Sequence, residues 1–498
     1  MTVFSGETKM TMLRKTALAI VAGGFLIHPA QQAVAKSEDE PSSYYIEPGS
    51  YGTRRETDPP SYVRNLSKTG IKSTEDITWL DAGLDYRMRY ERRDDDLRRP
   101  TSGGLDEPLL LRTRAYLGIK DILDPLRAVV EFKDARVYNS DFPRSNREVN
   151  EFELIQGYAE LHFKDALGYD DRGNARPAFI RAGRMAFEFL DRRLIGLNRW
   201  RNTTNNFQGF RASLGQDAND WALDLMALQP LTRLMTDFDK PNQDQWFSAA
   251  IGHWRKWSDI VTIEPYYMAL RQDADLSNSN RKRDIHGTGL RLYGWVGNTG
   301  INYDLTGMYQ FGRDDGLQHD AYMVTAEVGY TFKQHPWKPR ISAFYGHVSG
   351  DQDPNDNKNN RFERFFGFAR PWSSDDYMVP ENLSAPKVKI EFEPIKGLKI
   401  DGGYSAFWLD SNTDRFRNLL GGANNRDHTG NSGDFLGHGL DIRARYNLTP
   451  YLAANVGYTH FTFGDFTRNR QEAANGSSSD DSDFVYVELS FNALDIFQ

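Results

Sequence analysis

From Ile77 almost to the C-terminus, apolar and polar side chains alternate residue by residue in short segments, and the connections between these segments alternate between long and short. Residues 80–90, LDAGLDYRMRY, show the pattern without a break. Leu80, Ala82, Leu84, Tyr86, Met88 and Tyr90 make one face, and Asp81, Gly83, Asp85, Arg87 and Arg89 make the other. A repeat of two is the period of a β-strand. The same reading holds at Tyr322–Phe332, Lys387–Glu393, Leu398–Trp408, Leu440–Asn447 and Asp483–Phe491. It gives about 18 segments, each of the ~9–13 residues that a tilted strand needs to cross a bilayer. They begin near residues 77, 109, 125, 152, 177, 206, 218, 245, 258, 285, 299, 320, 338, 386, 397, 436, 450 and 482.

The connections narrow the fold class further. Residues 93–108, 137–151, 188–205, 229–244, 272–284, 351–385, 411–435 and 464–481 are long and polar. Between them fall tight turns at 121–124, 216–217, 257, 297–298, 394–397 and 449–450; the connections at 165–176 and 313–319 fit this rule less well. Two loop classes on two sides predict an all-β, antiparallel up-and-down barrel in an outer membrane, with long extracellular loops and short periplasmic turns. A two-layer sandwich imposes no such alternation, and no blade repeat of a propeller is present. The oily face then meets lipid and the charged face meets water, while closure satisfies every backbone hydrogen bond. Tyr90, Trp254, Trp257, Tyr330, Trp337 and Tyr446 stand at strand ends, as interfacial girdles require.

The N-terminus carries an export signal. Arg14 and Lys15 precede an apolar run over 16–27, followed by Ala33-Val34-Ala35, so residues 1–35 read as a signal peptide cut after Ala35. Residues 36–76 are polar and rich in Pro and Ser and read as a flexible periplasmic segment; the barrel occupies 77–498. Among 498 residues there is no cysteine, which excludes disulfide scaffolds, thiol catalysis and cysteine-ligated metal sites. The net charge of −8 with scattered basic residues gives no nucleic-acid footprint. No HExxH, GxSxG or P-loop occurs, so neither an enzyme nor a cofactor is expected. Residues 351–356, DQDPND, lack the glycine and terminal glutamate of a calcium loop, and no metal site is expected.

Parity places Arg87, Arg89, Arg112, Arg114, Arg291, Arg443 and Arg445 on the lumen face, with Asp81, Asp85, Glu160, Glu327, Asp401, Asp441 and Glu488 beside them. An excess of arginine at the narrowest level would favour anions, because guanidinium forks hold carboxylates bidentately. The longest loop holds Arg361, Arg364 and Arg370 among Phe362, Phe365, Phe366, Phe368 and Trp372. A loop so long and aromatic is expected to fold into the barrel mouth and narrow it.

Three stretches resemble the alginate export family of outer-membrane barrels: NNRFERFFGFARPWSSDDYMVPENLSAPKVKIEF from Asn359, IRAGRMAFEFLDRRLIGLNRWRNTTNNFQGFRASL at 180–214, and KIDGGYSAFWLD at 399–410. The resemblance spans roughly residues 77–491. It implies passive secretion of an anionic, alginate-like exopolysaccharide through an arginine-rich constriction, with periplasmic and inner-membrane secretion components as partners. Carried over by motif, Arg184, Arg364 and Arg370 match the family's pore arginines, and Arg193 lies in a matching loop; Arg87, Arg112 and Arg443 join them from parity. Two departures stand out. Arg184 shares its face with Ile180 and Ala182, the lipid side, so a bulge near Gly183 is needed to bring it inward. The chain ends Phe497-Gln498, whereas such barrels usually end on an aromatic residue. Uptake of small anions or sugars is the alternative function for the same barrel.

Overall fold

The computed structural model describes residues 42–98, 104–274, 281–419 and 425–497. The proposed signal peptide lies outside the described residues. Eighteen strands form one closed antiparallel sheet: β1 Leu80–Asp94, β2 Leu109–Leu123, β3 Leu126–Tyr138, β4 Asn150–Phe163, β5 Ala178–Met185, β6 Phe207–Leu214, β7 Trp221–Thr232, β8 Gln245–Trp254, β9 Thr262–Gln272, β10 Arg283–Trp295, β11 Ile301–Asp314, β12 Leu317–Thr331, β13 Arg340–Val348, β14 Leu383–Ile395, β15 Leu398–Trp408, β16 Phe435–Asn447, β17 Leu452–Phe463 and β18 Asp481–Asn492. Each strand pairs with its neighbours in the chain, and β1 closes on β18 from Asp85↔Asn492 to Asp94↔Asp483. Every expected start lies within four residues of an observed one, the largest offset being 258 against Thr262.

Alternation works as the pattern predicts on the outside. Along β1, Leu84, Tyr86, Met88 and Tyr90 are exposed while Asp85, Arg87, Arg89 and Glu91 are buried inside. Leu440 and Ile442 on β16, and Val324 and Val328 on β12, belong to the same outward apolar band. Trp254, Trp257, Tyr330 and Trp337 ring the short-turn end and Tyr90, Tyr138, Tyr309 and Tyr345 the long-loop end. No helix among the described residues is long and apolar enough to cross a membrane; strands do the crossing. Leu440→Arg, near the middle of β16, should therefore destabilise the barrel by about 2–4 kcal/mol, a cost specific to bilayer depth. Urea titration in lipid vesicles measures it, and a loss below ~0.5 kcal/mol would place Leu440 away from hydrocarbon.

Three local points go beyond the sequence pattern. The connection expected at 313–319 is a two-residue turn, because Asp315 and Gly316 take φ of 53° and 89°, the left-handed pair of a tight hairpin. The C-terminal register is settled by Phe491, which pairs with Tyr86 and Leu452, after which 493–497 turn into a short 3-10 helix. Residues 42–65 of the segment read as flexible lie inside the short-turn end of the barrel. Arg64 and Asn65 pair with Ala82 and Asp81 of β1, and Tyr62 packs on Tyr116. The segment is polar because it is bound by lumen charges, not because it is free.

Candidate functional site

The lumen wall has two unlike halves. On β1–β5 and β13–β18 it carries charge, and the charges are paired. Arg114 donates to Asp85 (2.9 Å), and Arg89 lies against Glu91 (2.7 Å) and Glu488 (3.2 Å). Arg181 meets Glu160 at 2.8 Å, and Arg340 reaches both Glu327 and Glu391 at 2.6 Å. On β8–β12 the inward face carries an apolar belt: Phe247, Met268, Leu270, Ile285, Met308 and Met323 are almost fully buried inside the barrel. Polar groups flank it, among them Gln310 and His319 toward the loops and Arg291 of β10 toward the turns, held by Glu264 (2.9 Å) and Asp304 (2.7 Å). Arg291→Met would strand two inward carboxylates and should cost about 3–5 kcal/mol of stability. A shift in the unfolding midpoint worth less than ~1 kcal/mol would show that water already screens them.

Two loops cover the apolar half. Residues 349–382 fold inward as expected, with Phe362, Phe368 and Trp372 buried. Residues 186–206 also fold inward, which the sequence reading did not predict. The two meet backbone to backbone: the Phe366 amide donates to Leu194 O (3.0 Å), and the Gly196 amide to Phe366 O (3.3 Å). The Phe366 ring packs edge-on against Phe207 (4.9 Å) and Phe247 (5.1 Å). At Gly367 an added Cβ would stand 1.7 Å from Arg193 O, so only glycine permits this approach.

Most of the predicted arginines serve this inserted layer. Arg87 donates to the carbonyls of Arg199 (3.1 Å), Trp200 (3.1 Å) and Arg201 (3.2 Å), and Arg112 to that of Arg199 (3.0 Å). Arg370 does not face open water; it stacks on Trp200 (3.5 Å), which also contacts Arg89 (3.8 Å) and Tyr486 (4.6 Å). Arg193 is buried in an ion pair with Asp191 and against Phe344 (4.7 Å). Arg184 follows a register change: β4 carries an extra residue at Ile155, and Gly183 takes a φ of 132°. Its guanidinium pairs with the inward Glu153 and donates to Asp239 O (2.9 Å), so it too anchors a loop. Arg443 shares Asp401 with Arg445, at 2.7 and 2.8 Å.

Arg364 differs. Its guanidinium makes no ion pair with any described residue, and it lines a cavity of about 190 Å³ with Arg281, Arg283, Arg361, Arg415 and Arg417 and with three carboxylates, of which Asp314 pairs with Arg281 and Glu363 with Arg283. Burial first, then the neighbouring Arg417, push its pKa down to about 10, so it stays charged at neutral pH against its surroundings. Arg281, Arg361, Arg415 and Arg417 also line an adjoining cavity of about 700 Å³, which adds Arg98, Arg147 and Arg426 and has Asp351 as its one lining carboxylate. Carboxylates nearby are oversubscribed. Glu381 serves Arg415 (2.5 Å) and Arg417 (3.6 Å), which with Arg361 hold its carboxyl at about 2 against burial. Asp414 serves both Arg361 and Arg426. Among the described residues of these two recesses, Arg364 and Arg147 are left without an ion pair, and an excess of positive charge in a walled recess raises its local potential. Sequence reasoning identified Arg364 but not Arg147, Arg415 or Arg417, which come from two other loops and have no shared motif.

The fold matches known proteins. The barrel resembles crystal structures of Pseudomonas aeruginosa outer-membrane channels: OccK2 (OpdF), with a TM-score of 0.55 at 12% identity over 83% of this chain and 97% of that one, and OpdK, at 0.54 and 12% over 83% and 98%. OccK2 in complex with glucuronate aligns at 0.53 and 11%, over 83% and 97%. No curated protein sequence matches significantly. The family model for alginate export matches residues 78–479, nearly the whole barrel. The protein is an outer-membrane β-barrel channel, and it belongs to the alginate export family.

Proposed function

We propose that the channel carries an acidic polysaccharide out of the cell, with carboxylates of the chain passing along guanidiniums at the loop end. The observation that carries this reading is the pair of adjoining recesses at the loop end: seven arginines and one carboxylate line the larger, and Arg364 lines the smaller. Guanidinium forks suit carboxylates and release them again where several weak sites follow one another. The sequence contains no energy-coupling motif, so the driving force is assigned to periplasmic and inner-membrane components.

Uptake of small acidic sugars is a second reading. Its support is that the inserted loops divide the lumen into separate recesses of about 700, 190 and 470 Å³, and that OccK2, of the same fold, was crystallised with glucuronate. Uronic acid oligomers of graded length, added to the protein in planar bilayers, separate the two. Export expects block that strengthens and lasts longer as the oligomer grows. Block by the monosaccharide, no stronger for longer chains, would favour uptake and overturn export.

A further inference from the structure

The segment over residues 42–65 crosses the short-turn mouth and touches much of the barrel's circumference. The Tyr44 amide donates to Ala218 O (2.9 Å) between β6 and β7, and Trp295 of β10 donates to Glu47 O (3.0 Å). The Tyr51 amide reaches Glu391 of β14 (2.8 Å), and Lys389 donates to Ser50 (2.9 Å). The chain then turns under the inserted layer: Arg199 donates to Arg54 O (2.8 Å), and the Glu56 amide to Glu188 (2.7 Å). It finally docks on β3 through Tyr62 and Glu131 (2.8 Å). Up to residue 60 the attachment is polar; the buried apolar anchor begins at Tyr62 and Val63.

The carboxylates of this segment sit as a ligand sits in a receptor. Asp58 meets two wall guanidiniums, Arg181 (3.0 Å) and Arg211 (3.4 Å). The arginines are recessed, 6% and 11% exposed, whereas Asp58 is 43% exposed toward open space. Glu56 lies 3.6 Å from Arg199. Beside both acids is a cavity of about 470 Å³, where Arg55, Arg114 and Arg211 stand among Phe179, Phe187 and Phe189 and where the wall and loop carboxylates Glu131, Glu188, Asp217, Asp224 and Glu264 also reach the lining. Exchanging one carboxylate for another at a guanidinium keeps the charge pairing and hydrogen bonds. The exchange is therefore nearly balanced in energy, while a neutral ligand would leave Arg181, Arg211 and Arg199 with only their wall and loop partners Glu160, Asp224 and Glu188.

We propose that the Glu56–Asp58 stretch is an internal stand-in for acidic saccharide: its carboxylates occupy a site formed by Arg181, Arg199 and Arg211, and saccharide carboxylates displace them to clear the short-turn mouth. The proposal rests on the polyanion reading above and adds a second binding site, at the opposite end from Arg364, together with its closure.

Because the chain has no cysteine, a single Thr57→Cys reports on the segment through its rate of reaction with a charged, membrane-impermeant thiol reagent. In the full-length protein in vesicles, uronate oligomers should raise that rate at least several-fold, and uncharged oligomers of the same length should not. In planar bilayers, Glu56→Gln/Asp58→Asn should raise the open fraction in KCl with no saccharide present. Unchanged opening in the double variant would overturn the plug. Opening in the variant without any uronate effect on Thr57→Cys would overturn the stand-in. The KCl arm needs no saccharide, so failure of the polyanion reading alone would leave the plug standing and appear only as absent uronate block in the native channel.

Discussion

Gly367→Ala should raise the single-channel conductance several-fold without unfolding the barrel. The added methyl would stand 1.7 Å from Arg193 O. That atom belongs to the backbone of the 186–206 loop, which Arg87, Arg89 and Arg112 fix to the wall through the carbonyls of residues 199–201. Neither side can yield by rotating a side chain. The inter-loop hydrogen bonds at Leu194 and Phe366 must break, and Phe366 must leave the space between Phe207 and Phe247. An 18-stranded barrel without an inserted layer encloses an aqueous channel, so release of that layer is read directly as current. The strands do not depend on this contact, and heat-modified mobility on gels should match the native protein. Unchanged conductance would mean that the two loops are not the barrier.

Arg364→Ala/Arg417→Ala should abolish anion preference and weaken uronate block by at least tenfold. A charge-assisted hydrogen bond contributes about 1.5–3 kcal/mol, and 1.4 kcal/mol is tenfold in affinity. Arg364 has no carboxylate partner among the described residues, so its removal strands no buried acid; Glu381 keeps Arg415 when Arg417 is lost. Folding should survive the double change. Arg443→Ala is the control: Asp401 retains Arg445, and block should fall far less. Equal loss in both variants would locate the saccharide site on the wall instead of in the vestibule.

Strand number, starts and the two loop classes were legible because alternation and turn chemistry are local. The inserted layer left a trace that parity reasoning passed over. In Trp246–Ile251 both faces are apolar: Trp246 and Ala250 look outward, and Phe247, Ala249 and Ile251 look inward. A strand apolar on both faces is covered on both, so β8 already called for something inside the barrel. The Asp-Gly at 315–316 likewise announced a tight hairpin. What parity could not give was partnership. Arg87 and Arg364 look alike in sequence, yet one spends its hydrogen bonds on loop carbonyls and the other makes no ion pair with a described residue. That difference is set by residues about a hundred or more positions away. The 42–65 segment was misread for the same reason, since a polar stretch bound by lumen arginines has the composition of a free one.

We propose that arginine charge at the loop end selects acidic saccharide. The most direct test is the reversal potential of the native channel across a KCl gradient in a planar bilayer, before and after uronate oligomers are added to the loop side. The expected potential is displaced toward the chloride equilibrium value, with current blocked by the oligomers. A potential displaced toward the potassium value, with no block, would contradict it and leave a general porin.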